Sequence, residues 1–288
     1  MLKLKPLLTE APTDDVAKIA KSGLAQSVSM LKKLSADRDV VNVLAKGTED
    51  GNIKDEQVKF STAVVPCTKM FPTQAEIGFG NSLDDLCKNQ PWRSAVEAAF
   101  KSPVLMPSKP DNVPVLAAKV GGKIFILDGH HRWSLCFMIN RNAKMQCDIM
   151  EVPSGEDEEG ALKIMQMAIA AKAGRVLTKD FEGQDLMATG TNEVVQYVID
   201  TIEPERIEQF SVGTNGVLAD AESIATEVGA AHKDIVSMKG KFPRKIMPQA
   251  DHSGAPQGDV NKSLQRGTIN WKEPFGEGRI KLTSLLGK

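Results

Sequence analysis

IFILDGHHRWSLCFMIN, residues 124–140, is the stretch that decides the fold. An apolar run, Ile124 to Leu127, ends in Asp128-Gly129. His130, His131 and Arg132 follow at once, and a second apolar run begins. An apolar run of this length closed by Asp-Gly predicts a buried strand over 123–128. The run after it, 131–140, places Leu135, Cys136 and Ile139 at helical spacing and predicts a helix. With Gly129 making the turn, the N–H groups of His131, Arg132, Trp133 and Ser134 would open that helix. First-turn donors and the positive end of the helix dipole favour an anion there. Arg132 adds a planar fork suited to phosphate oxygens. His130 and His131 add donors that charge near neutral pH. Asp128, at the strand end, suits a Mg²⁺ ion beside a phosphate.

Working outward, VPVLAAKV (113–120) precedes KIFILD across Gly121-Gly122, a strong hairpin signal. VKFSTAVV (58–65) reads as a strand, Pro66 to Gly80 as loop, and SLDDLCK (82–88) as a helix starting at Ser82. RSAVEAAF (93–100) is a second short helix, and MQCDIMEV (145–152) a returning strand. Residues 58–152 thus predict a compact α/β unit. Residues 13–47 predict a helical N-terminal extension within 1–57, capped at Thr13. Helical character resumes within 153–238, at 161–173, 191–202 and 220–236, with turns such as EPER (203–206) between. From 239 the chain becomes irregular and basic. Residues 231–288 hold eleven Lys and Arg against five Asp and Glu.

The 288 residues carry a net charge of −1, which excludes a wholly basic nucleic-acid binder but not a local basic patch. With 5% aromatic residues and one tyrosine, a base-stacking platform is not expected. The four cysteines lack metal or redox spacing and read as buried thiols of a reducing compartment. The short apolar stretch at the start does not form a signal peptide, and no run is long enough to cross a membrane. The expected location is the cytoplasm, or, for a phage-encoded chain, the host cytoplasm or the particle.

DGHHR after a Gly-Gly hairpin resembles the signature of the ParB/sulfiredoxin fold. VVPCTKMFPTQAEIGF (64–79) is similar to the first strand and loop of that family, and SLDDL (82–86) to its first helix. The likeness covers about residues 58–152. Sulfiredoxins carry a catalytic cysteine, and ParB proteins a glutamate, where this chain has His130, so the DGHHR form looks most like the free serine kinases of this fold. What the resemblance implies is a nucleoside di- or triphosphate (ATP, ADP or CTP) with Mg²⁺, its phosphates held by Gly129 to Ser134. Asp128 and His130 would work at the reacting centre. Glu76, in the loop FPTQAEIGF, would be the base, and Gln74 stands where ParB proteins carry a glutamine. The implied activity is a Mg-dependent kinase or nucleotide hydrolase. Two alternatives stand beside it. One is a phage-type ParB-like DNA-associated protein or nuclease that follows phosphates with the basic tail 239–288. The other is a non-catalytic component of a phage or host assembly.

Overall fold

The computed structural model describes residues 59–88, 95–101, 103, 114–151, 158, 162 and 181–244. The chain divides into two compact units, and Thr62–Ile149 with Phe181–Pro243 make up the one described here. The helix expected at 13–47, that at 161–173 apart from helical Leu162, and the tail beyond 244 lie outside the described residues.

The protein has an α/β fold built on a five-stranded mixed sheet. The strands are β1 (Lys59–Pro66), β2 (Met70–Pro72), β3 (Val115–Val120), β4 (Lys123–Asp128) and β5 (Lys144–Glu151), in the order β1-β5-β3-β4-β2. β3 and β4 form the antiparallel hairpin that the glycine pair foretells, with Gly121 and Gly122 at φ 54° and 83°. β3 sits at the centre, and its first four residues, Val115 to Ala118, are all buried. Consecutive burial rather than alternation means that both faces of the strand are covered.

β2 is a difference from the sequence reading, which left residues 66–80 as loop. A 3-10 turn, Cys67–Lys69, leads into β2, which runs parallel to β4 with Met70 opposite Ile124 and Pro72 opposite Ile126. A three-residue strand whose partner lies some fifty positions away has no periodicity of its own. It tolerates Pro72 because it is an edge strand.

Helix α1 (Phe79–Cys87) begins three residues before the expected Ser82, with Gly78 as its cap. Helix α2 is Ala95–Ala99 and α3 is His130–Ile139. Downstream come α4 (Thr191–Thr201), α5 (Pro204–Gly213) and α6 (Ala221–Met238). α5 occupies the EPER segment taken for a turn. Pro204 sits in its first turn and Glu205 beside the positive dipole end, so the same residues open a helix. α6 is capped by Asp220, whose carboxylate accepts the Ser223 N–H at 2.7 Å.

One apolar core joins the sheet to all six helices: Ile126 and Cys147 from strands, Leu83, Trp133 and Phe137 from the first helices, and Val198, Phe210 and Val228 from the last three. Two T-shaped ring pairs, Phe79–Tyr197 and Phe100–Phe210, tie the early helices to the late ones. Arg206, fully buried, donates Nε and Nη2 to the Lys88 carbonyl just past the C-terminus of α1. The residues 181–243 therefore complete the domain that carries the motif. Among the described residues no helix is long and apolar enough to cross a membrane.

Candidate functional site

Asp128 ends β4, and Gly129 turns the chain at φ 103°, ψ 20°, a left-handed conformation that glycine adopts without strain. α3 then starts at His130, one residue earlier than expected. The Trp133 N–H already bonds the Gly129 carbonyl at 2.9 Å, so the first-turn amides belong to His130, His131 and Arg132. Trp133 and Ser134, expected among the anion donors, face inward. Trp133 gives its indole N–H to the Cys67 carbonyl at 3.0 Å. Ser134 Oγ lies 2.9 Å from Ser82 Oγ, and both side chains are buried.

The two histidines serve as fasteners. His130, 4% exposed, accepts the backbone N–H of Thr73 and of Gln74 on Nε2, each at 3.2 Å. His131 Nε2 accepts the Gly78 N–H at 3.0 Å. An imidazole nitrogen accepts only with its lone pair, so in this geometry both rings are neutral and carry their proton on Nδ1. The sequence reading placed His130 at the reacting centre and on the phosphates; its place is beneath the loop 73–79. A helix turns by about 100° per residue, so neighbours in sequence diverge in direction.

That loop is held from several sides. Thr73 Oγ1 donates to the Ile126 carbonyl at 2.5 Å. Asp185 Oδ1 accepts the N–H groups of Ile77 and Met187, both at 3.0 Å. The Leu186 N–H bonds the Ile77 carbonyl and the Phe79 N–H bonds the Gln184 carbonyl. His232, buried, donates Nε2–H to the Leu186 carbonyl at 2.9 Å and so accepts from the Thr191 hydroxyl on Nδ1. At the other end of the loop, Lys241 and Phe242 donate to the Thr73 carbonyl, and Ala75 donates to that of Phe242. Gly240 is there because nothing larger fits: a Cβ would lie 1.9 Å from the Gln74 carbonyl oxygen. Glu76, the expected base, sits half-buried between these anchors, and its carbonyl accepts from the Gln74 side chain. Hydrogen bonds thus bring the Glu76 loop and the DGHHR motif together.

Arg132 and Asp128 stand close together at the start of α3. Arg132 Nη2 lies 3.6 Å from Asp128 Oδ2, with side chains 17% and 45% exposed. The guanidinium folds back over the turn: a Cβ on Gly129 would stand 2.9 Å from Nη2. Among the described residues no group of three or more His, Cys, Asp and Glu can hold a metal ion.

The cysteines stand apart from this chemistry. A hydrogen bond that the Cys67 S–H gives to Cys136, together with burial, pushes the Cys67 thiol up. Burial raises Cys147 to about 12 and Cys87 to about 11, so these remain protonated near neutral pH. An open concavity of about 560 Å³ at the far end of α3 is lined by Ile139, Leu218 and Arg141 among others. There Arg141 is bound by Glu227 at 2.8 Å and Asp234 at 2.7 Å, a net negative trio that repels phosphate.

Sequence reasoning missed Asp185, His232, Arg206 and Gly240. Asp185 and Gly240 act on partners about 100 and 166 positions away, and no local pattern announces them. A buried-looking histidine on an apolar helix face was the available signal for His232. Comparison with protein families, with curated proteins and with solved structures finds no match.

Proposed function

We infer that this chain binds the phosphates of a nucleotide at the first turn of α3. What supports the reading is the position of Arg132, whose guanidinium folds back over Gly129 at the helix start. A planar fork beside a helix N-terminus offers charge and directed donors to the same oxygens. Asp128 would hold Mg²⁺ together with those phosphates. His130 and His131 would fix the loop that walls the site. In the catalytic form of this reading, Glu76 takes the proton of an acceptor, and positioning and charge neutralisation carry the rate. The ParB/sulfiredoxin resemblance favours a kinase or nucleotide hydrolase.

The charge of the helical part weighs against DNA as the ligand there. Residues 191–238 hold nine Asp and Glu against two Lys and Arg, a surface that repels a phosphate backbone. DNA association, or docking in a phage or host assembly, would fall to the basic tail.

Calorimetric titration with ATP, ADP, CTP and GTP, with and without Mg²⁺, tests the reading. Wild type binds at least one of them. Arg132→Ala weakens it by at least about tenfold, since a charge-assisted contact is worth about 1.5–3 kcal/mol. No heat with any nucleotide, or equal affinity in the variant, refutes the assignment.

A further inference from the structure

The two clamps on the loop 73–79 are unequal. The clamp at its C-terminal end is rooted in the core: Leu186 is 0% exposed, Asp185 accepts two backbone N–H groups, and buried His232 holds the Leu186 carbonyl. The clamp at its N-terminal end is residues 239–243, and none of those five is buried. It attaches through the backbone hydrogen bonds of Lys241, Phe242 and Ala75. It also begins under strain. Lys239 closes α6 at φ 42°, ψ 90°, in a region that side chains other than glycine's rarely adopt. Segments with little buried surface and exposed backbone bonds open locally, well below the free energy of global unfolding.

We propose that residues 239–243 are a latch that opens on its own. Opening breaks the Lys241 and Phe242 bonds to the Thr73 carbonyl and the Ala75 bond to Phe242. It uncovers the backbone around Gln74, which is 1% exposed when the latch is shut. The Thr73 and Gln74 amides stay tied to His130, so the loop is loosened at one edge and not unfolded. In the sequence the latch is the first stretch of the basic segment 239–288. The opening of the latch is independent of the phosphate reading. Its role, gating the loop that walls the nucleotide site, rests on that reading.

Amide-resolved hydrogen exchange on the full chain tests the proposal. In wild type the Ala75 and Phe242 amides exchange at least about tenfold faster than those of Gln74, Ile77, Gly78 and Leu186. Gly240→Ala, which cannot keep the close approach to Gln74, removes the protection of Ala75 and leaves Gly78 and Leu186 as they were. Uniform exchange across the loop, or joint loss of Ala75 and Gly78 in the variant, overturns the latch. Repeating the measurement with ADP and Mg²⁺ separates the two claims. Split exchange that ADP changes at Ala75 supports the gate. Split exchange with no binding of ATP, ADP, CTP or GTP leaves the latch standing and overturns the phosphate reading, and with it the gate. ADP binding with uniform exchange does the reverse.

Discussion

Replacing His130 distinguishes a fastener from a catalyst. In His130→Ala, the N–H groups of Thr73 and Gln74 lose their shared acceptor, 3.2 Å from each. Both residues are 2% exposed or less, so water does not replace it without rearrangement. A buried donor left unsatisfied costs about 1–3 kcal/mol. Two donors that share one nitrogen, together with the void left by the ring, give a loss of about 3–5 kcal/mol. For a domain stable by about 5–15 kcal/mol this is a large fraction. Urea unfolding followed by tryptophan fluorescence would show a midpoint well below wild type with an unchanged slope. His130→Gln restores an acceptor close to where Nε2 stood and recovers about half of the loss. If the alanine variant does not fold, the glutamine variant still does, and its rank between the two carries the test. A loss below about 1 kcal/mol for alanine, or a glutamine variant no better than alanine, refutes the fastening role. A purely catalytic His130 would give that first outcome, with stability intact and turnover lost.

Two further outcomes follow from buried groups. Cys87 is raised from its ordinary 9.0 to about 11 by burial. A raised thiol binds its proton more tightly folded than unfolded, so its contribution is complete below pH 9 and disappears as pH rises through 11. That removes on the order of 2–3 kcal/mol; a denaturation midpoint that stays level or rises between pH 9 and pH 11 contradicts it. Arg206→Met keeps the bulk of the side chain and strips the Lys88 carbonyl of both donors, costing about 1–3 kcal/mol in urea unfolding. Arg206→Lys, a single point donor, does not restore the two-pronged contact, and full recovery by lysine would show that charge alone matters there.

What the sequence disclosed was what local periodicity encodes. The apolar run 124–127, the Gly121-Gly122 join and the helix after Gly129 each carry their signal within ten residues, and the structure has all three. β2 escaped because its partner is β4, and α5 escaped because a proline among glutamates fits a turn as well as a first helical turn. The candidate site was legible in its membership and not in its directions. Side by side in the chain, His130, Arg132 and Ser134 look like one cluster. On a helix they fan out: His130 and Ser134 turn in toward the loop and α1, while Arg132 turns back over Gly129. The anchors of the loop, Asp185 and Gly240, come from beyond residue 180, where nothing in the sequence ties them to residues 73–79.

The fan also limits which residues can perform chemistry. For His130 or His131 to act as acid or base through Nε2, that nitrogen must give up the backbone donors it now holds, three N–H groups between the two rings. Each released donor in a buried place costs about 1–3 kcal/mol. A positioned acid or base returns about 10²–10⁴ in rate, or roughly 3–5 kcal/mol. For His130, with two donors on the one nitrogen, the cost offsets most of the gain before any proton moves. On the proposed reading, a step at this site therefore falls to Arg132 for charge, Asp128 for an ion and Glu76 for a proton. The histidines contribute by staying where they are, since a loop that shifts by an ångström would misplace Glu76 and forfeit the positioning on which phosphoryl transfer depends.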